Sequence, residues 1–308
     1  MFLGYDTVRL WIPYSGDTRP GAEYWEQAQR LGCRIGHDKK GRQLATLPLG
    51  NIQAAFMAGG LSVRGSLARY AQGENLSGIL PGDVPDVLAE LSGRLEANLM
   101  QAKATRIDAA LSVEVRNPVR EYLGMLGSMP RKAKSTSGDT VYYQTKKRGK
   151  VLAFYDKGAE MQAKGKIHPG HWLRYELRLS KPGESLGGAV TGADLAEGWP
   201  LERMAAMMWK EYKAITKQDT MKAPTGIRTA GEGKAYCHGV LMRKALQTGE
   251  LGDLVEMVRN YNPGMASKEL YRMRKALEKE AAGYGADSEL ANELDGIFSQ
   301  ALGVEVPG

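Results

Sequence analysis

The stretch TRIDAALSVEVR, residues 105–116, alternates throughout: Ile107, Ala109, Leu111, Val113 and Val115 fall on one side, Arg106, Asp108, Ala110, Ser112 and Glu114 on the other. A sustained period of two is the mark of a β-strand with one apolar and one polar face. WLRYELRL, residues 172–179, repeats the pattern, with Leu173, Tyr175, Leu177 and Leu179 opposed to Arg174, Glu176 and Arg178. Residues 5–14 carry a third copy, Val8, Leu10 and Ile12 against Thr7, Arg9 and Trp11. Residues 140–145 and 150–157 flank the turn Lys146-Lys147-Arg148-Gly149 as a hairpin, and residues 43–49 and 60–70 read as further strands.

Between the strands, residues 83–102 place Val84, Val87, Leu88, Leu91, Leu95 and Leu99 at helical spacing, with Asp83 as N-cap and Pro85 in the first turn. Asn117-Pro118 ends the 105–116 strand and opens another helix. Residues 183–199 are rich in Gly and small side chains and read as a connection. Beyond them the periodicity is helical at 201–215, 236–247, 251–260 and 267–282. The expected architecture is α+β: a domain over 1–182 built on a central antiparallel sheet, a Gly-rich connection over 183–199, and a mostly helical C-terminal region over 200–308.

Composition bounds the class of protein. The chain has 308 residues, 43% hydrophobic and 25% charged, close to a globular average and unlike a disordered or coiled-coil chain. No run approaches the ~20 apolar residues that cross a bilayer, and Asp6 and Arg9 interrupt the N-terminal stretch, so a cytosolic protein is expected. Cys33 and Cys237 lie far apart and form no Cys-x-x-Cys pair, which argues against a disulfide framework or a zinc ribbon.

Charge is concentrated. Residues 131–181 hold 13 basic side chains against 4 acidic ones, a local excess of nine in a chain of net charge +7. Such a segment suits a polyanion, because each phosphate met by Lys or Arg releases condensed counterions; a solvated basic surface has the same composition. Arg131, Lys132, Lys146, Lys147, Arg148, Lys150 and Arg174 are the expected polyanion contacts.

If the strands are neighbours, Asp108, Glu176, Tyr155 and Lys157 share one polar face. Two carboxylates, a phenol and an ammonium suit phosphodiester chemistry: carboxylate oxygens are ligands for Mg²⁺ or Mn²⁺, and a phenol beside a cation is a usable nucleophile. The spacing equally allows structural ion pairs, Arg106 with Asp108 and Arg174 and Arg178 with Glu176, and Tyr155 as one packed tyrosine among 14.

Taken in order, YDTVRLWIPY (5–14), GSLARYAQGENL (65–76), TRID (105–108), TVYYQTKKRGKVLAFYDKGAE (140–160) and WLRYELRL (172–179) resemble the replication initiation proteins of filamentous phages, the gene II/gene X family, related to rolling-circle plasmid initiators of the HUH-like class. Arg69 stands where that family's G-S-L-x-K signature has lysine, and the His-hydrophobic-His metal motif of the wider class is lacking. The resemblance implies an RRM-like, HUH-like nicking core in which Tyr155 attacks a DNA phosphate, Lys157 assists, and Asp108 and Glu176 hold Mg²⁺ or Mn²⁺, with Ser112 or Glu114 as a further ligand. It implies nicking of supercoiled origin DNA through a 5′-phosphotyrosine link, rejoining of the displaced strand, host helicase and DNA polymerase as partners, no membrane, and the cytoplasm of a bacterial host. A second tyrosine such as Tyr143 is a candidate for strand closure, and the 267–279 helix for DNA contact. A DNA-binding regulator of the same fold without nicking activity, and a plasmid or mobile-element initiator with the same chemistry, are the competing readings.

Overall fold

A computed structural model describes residues 2–14, 22–145, 149–166, 168–217, 238, 241, 250–261, 264, 266–283 and 289–303. Its centre is an antiparallel sheet whose strands run β2-β3-β4-β5-β1-β6-β10-β9-β8-β7. These are β1 (Phe2–Pro13), β2 (Arg34–His37), β3 (Gln43–Leu49), β4 (Ile52–Met57), β5 (Gly60–Ser66), β6 (Lys103–Val115), β7 (Ala133–Ser137), β8 (Thr140–Gln144), β9 (Lys150–Asp156) and β10 (His171–Leu179). The helices are α1 (Ala22–Arg30), α2 (Leu67–Gln72), α3 (Val84–Leu95), α4 (Val119–Met125), α5 (Lys157–Gln162), α6 (Pro182–Leu186), α7 (Gly192–Glu197), α8 (Trp199–Lys213), α9 (Glu250–Tyr261), α10 (Ser267–Gly283) and α11 (Glu289–Ala301). The α+β expectation, a central antiparallel sheet followed by mostly helical chain, holds.

β1, β6 and β10 lie together in the middle, where both faces are covered, so even the polar side of β6 is buried from Asp108 to Ser112. The apolar side carries the core. Phe154 stacks on Tyr175 at 4.2 Å, Tyr175 on Phe298 at 5.6 Å, and the Tyr175 hydroxyl donates to the Met208 carbonyl of α8 at 3.0 Å. β1 is irregular. Tyr5 faces Ala109 and Val8 faces Ile107, so one extra β1 residue is fitted opposite Asp108. Asp6 lies in that bulge and is buried beside the polar side chains described below.

Several boundaries differ from the sequence reading for local reasons. The strand expected over 60–70 stops at Ser66, whose hydroxyl accepts the Arg69 N–H at 3.2 Å and so caps α2, and Gly73 closes α2 in the left-handed region at φ 74°. The helix expected over 83–102 ends at Leu95, where Glu96 turns left-handed and the Ala97 N–H reaches the Ser92 carbonyl at 3.1 Å. Asp83 makes no side-chain cap; Leu99 is still buried, delivered by the turn rather than by the helix. The 183–199 connection contains α6 and α7, the latter begun by a capping box between Thr191 and Asp194. β2, β4, β7 and α1 are not among the elements expected from the sequence, although α1 and β4 carry a helical and a two-residue period respectively.

By contacts the chain forms two compact units, Met1–Arg120 with Met129–Ala214 and Gly296–Gly308, and Glu121–Ser128 with Ile215–Asp295. α8 therefore belongs with the sheet rather than with the later helices. Within the second unit the Gly127 N–H donates to the Thr216 carbonyl at 2.8 Å and the Tyr122 hydroxyl to Glu293 at 2.7 Å. Apart from His238 and Leu241, both helical, the helix expected over 236–247 lies outside the described residues.

Candidate active site

Strand register builds the site in rows. β10 pairs on one side with β9 and on the other with β6, giving Tyr155–Arg174–Ser112, Ala153–Glu176–Ala110 and Val151–Arg178–Asp108. Side chains directly opposite in a row share a face, so Tyr155, Glu176 and Asp108 stand on one side of the sheet as the alternation requires. Ala110 and Ala153 flank Glu176 with nothing bulky, which leaves room for the long neighbours to close over it.

Glu176 is the hub. Its Oε1 accepts the Tyr155 hydroxyl at 2.7 Å and Arg174 Nε at 3.0 Å, and its Oε2 accepts Arg178 Nε at 2.8 Å. Burial opposes its charge, but Arg174 and Arg178 outweigh that and hold the carboxyl below its ordinary range. Burial, and then the adjacent Glu176 charge, push the Tyr155 phenol well above the ordinary tyrosine range, so it is neutral at rest. Asp108 is gripped by Arg106, Nε to Oδ1 at 2.9 Å and Nη2 to Oδ2 at 2.6 Å, yet burial still raises it to about 6.

Behind this layer lies a second one that the sequence reading missed. Arg174 is fully buried; its Nη1 donates to the carbonyls of Asn75 at 2.5 Å and Leu76 at 3.2 Å and to Ser112 Oγ at 3.2 Å, and its Nη2 lies 3.2 Å from Asp6. Asp6 Oδ1 also accepts Ser66 Oγ at 2.7 Å and Asn75 Nδ2 at 3.1 Å. The GSLARYAQGENL segment therefore serves as a clamp: Ser66 caps α2, Gly73 turns the chain, and Asn75 meets the buried arginine. The serine and asparagine of the signature were its legible signal.

Lys157 is displaced from its expected role. Asp156 caps α5 by accepting the Ala159 N–H at 2.8 Å, so the chain leaves the strand and Lys157 opens a helix rather than continuing the Tyr155 face. Its ammonium is wholly buried, donating to Asn75 Oδ1 at 3.0 Å and Glu160 Oε2 at 2.8 Å. Burial, and then Arg174, lower its pKa. It holds α5 to the clamp.

The metal expectation does not fit these positions. Both oxygens of Asp108 are taken by Arg106 and both of Glu176 by Tyr155, Arg174 and Arg178, and among the described residues no group of three or more His, Cys, Asp and Glu side chains converges. Ser112 is bound by Arg174 and Glu114 is exposed away from the hub. The ion-pair alternative read from Arg106, Arg174 and Arg178 is what the side chains form.

The expected polyanion contacts divide. Lys132 and Lys150 both pair with Glu211 of α8, the latter at 3.1 Å, and Arg174 is internal, so these three charges are spent within the protein. Arg131 is exposed. Lys146, Lys147 and Arg148 lie outside the described residues. Tyr143 points into the core, edge-on to Phe154, so it is Tyr142 that shares the Tyr155 face, with Arg178 5.8 Å from its ring centre. Tyr142, Tyr155, Arg178, Asp139, Asp156 and Glu160 line an open groove of about 510 Å³.

Residues 46–182 match the family described as the N-terminal part of the phage replication-associated protein, the gene II product. The matched stretch begins within β3 and ends at the first residue of α6, contains Asp108, Tyr155 and Glu176, and agrees with the gene II resemblance read from the sequence. Among solved structures, the rolling circle replication initiator protein from Geobacillus stearothermophilus is similar at 13% identity and a TM-score of 0.40, over 74% of this chain and 89% of that one. No curated protein matches the chain.

Proposed function

We propose that this chain is a replication initiator that cuts and rejoins one DNA strand at an origin, with Tyr155 as nucleophile and Glu176 as its base. The observation that carries the reading is the 2.7 Å hydrogen bond from the Tyr155 hydroxyl to Glu176 Oε1 at the edge of an open groove. A nucleophile hydrogen-bonded to a base that is itself oriented by further groups is the general arrangement of an activated hydroxyl; here Arg174 and Arg178 do the orienting. The phenolic oxygen bonds to phosphorus as its proton passes to Glu176, the P–O3′ bond breaks, and the leaving 3′ oxygen takes a proton from water. Because the resting phenol is held neutral, proton and phosphorus move together rather than through a preformed phenolate. Arg178, partly exposed on the groove, meets the charge that gathers on the phosphoryl oxygens. The phosphotyrosine conserves the bond for resealing, and the free 3′ hydroxyl is what a host polymerase extends behind a host helicase. Such work belongs in the bacterial cytoplasm; among the described residues no helix is long and apolar enough to cross a membrane.

The occupied carboxylates favour a second reading, a DNA binder of this fold without strand cleavage. One experiment separates them. The full chain is incubated in Mg²⁺ and in Mn²⁺ with a labelled single-stranded origin oligonucleotide, and denaturing gels followed by peptide mapping score a covalent adduct. An adduct on Tyr155 that Tyr155→Phe abolishes and Tyr142→Phe retains is expected. An adduct mapping elsewhere removes Tyr155 from the role, and salt-dependent binding with no adduct in either metal selects the binder.

A further inference from the structure

Three arginines from outside the basic 131–181 stretch stand side by side on the same sheet face. Arg9 pairs directly with Arg64 across β1 and β5, and with Arg106 across β1 and β6. Neighbouring strands lie about 4.8 Å apart, and like charges directly opposite one another destabilise a sheet. The usual relief is an intervening carboxylate. Arg106 has one in Asp108. Arg9 and Arg64 have none among the described residues; Arg64 Nη2 donates instead to the neutral Gln53 amide oxygen at 2.9 Å. Both are exposed, and with Arg106, Thr7, Asn51 and Gln53 they line an open cavity of about 300 Å³. Burial, and then the charges of Arg64 and Arg106, lower the Arg9 pKa, the sign expected for cations crowded without a counterion.

A fold that sets three guanidiniums in one row and leaves two unneutralised holds a place for an external anion. The row is joined to the Tyr155 groove on one face: Arg106 lies two residues from Asp108, Asp108 faces Arg178, and Arg178 borders the groove. Counting strands and residues, the separation from Tyr155 runs from roughly 22 Å at Arg106 to roughly 28 Å at Arg64, a distance that a polymer spans and a single phosphate does not. We propose that Arg9, Arg64 and Arg106 form a backbone-phosphate station for single-stranded nucleic acid that crosses this face of the sheet. Its direction along the face rests on the Tyr155 groove being where the strand is cut.

The test measures anisotropy of a labelled oligothymidylate on the full chain across a salt series, for wild type, Arg9→Ala/Arg64→Ala and Arg9→Lys/Arg64→Lys. Two lost phosphate contacts lower the slope of log K against log salt by about 1.4 and weaken binding about 25-fold near 0.1 M salt, while the lysine pair keeps most of the slope. An unchanged slope in an alanine pair that melts no lower than wild type overturns the station. So does polyglutamate competing as well as the oligonucleotide at equal charge, which would make the row a general anion surface. Adduct formation at Tyr155 on the origin oligonucleotide is scored alongside. A normal adduct with an unchanged slope rejects the arginine row alone, and a reduced slope with no adduct keeps the row and rejects the cutting reaction.

Discussion

Replacing Glu176 with Gln keeps the side chain's shape and one acceptor oxygen but removes the charge that Arg174 and Arg178 both face. Stripping one partner from a buried ion pair costs about 3–5 kcal/mol. Asp6, 3.2 Å from Arg174, and the surviving amide oxygen place this case near the lower end, at about 3 kcal/mol. Tyr155→Phe removes a single hydrogen bond to a charged acceptor, worth about 1.5–3 kcal/mol, and the phenol's partial exposure favours the lower figure. In a Glu176→Gln background the same bond ends on a neutral amide, worth about 0.5–1.5 kcal/mol. The double-mutant cycle should therefore return a coupling of about 1 kcal/mol, read from urea denaturation of the four proteins at pH 7. A coupling within about 0.3 kcal/mol of zero would mean that Tyr155 and Glu176 do not share a proton in solution, and the reasoning that makes the phenol a nucleophile would fail with it. Under conditions where all four proteins are folded, loss of a general base lowers the adduct rate about 10²–10⁴-fold in Glu176→Gln. A rate that merely follows the folded fraction would make Glu176 a strut for the arginines instead.

Asp108 supplies a prediction of opposite sign to the common carboxylate case. Its folded pKa, about 6, lies above the ordinary aspartate value of 3.8, so its contribution to stability is complete below about pH 4 and is lost as pH rises through 6, a total of about 3 kcal/mol. A carboxyl carbon titration by NMR with Asp108→Asn as the assignment control checks this, and a midpoint near 4 would refute it. Gly4→Ala tests the clamp: a methyl there falls 2.6 Å from the Gly78 carbonyl carbon and 2.7 Å from Ile79 O, where Tyr5 and Ile79 exchange backbone hydrogen bonds. Overpacking of this kind costs about 1–3 kcal/mol and should speed amide exchange at Ile79, whereas unchanged stability and exchange would show that the clamp tolerates a wider gap.

The legible part of the site was the part carried by alternation. A period of two assigns every residue of a strand to a face, so once β6, β9 and β10 are neighbours, Asp108, Tyr155 and Glu176 must share one. Lys157 was misplaced because it continues that period from Tyr155, and only the capping propensity of Asp156 marks where the strand stops. Charge counting failed differently. Lys132 and Lys150 were counted with their own stretch, but the carboxylate that neutralises them, Glu211, lies 61 residues beyond Lys150. The row of Arg9, Arg64 and Arg106 was hidden for the same reason, since local sequence contains no register between distant strands. Asn75 and Ser66 were visible as a signature, but their purpose depends on a buried arginine a hundred positions on.

β1 sits between β5 and β6 in the middle of the sheet. The matched stretch of 46–182 excludes it. A fragment cut to those bounds would carry every residue of the cutting chemistry and still expose two raw strand edges at its centre, open to pairing with a second molecule, and it would leave Arg174 without the carboxylate of Asp6. The first dozen residues are thus the keystone of a site to which they contribute no reacting atom.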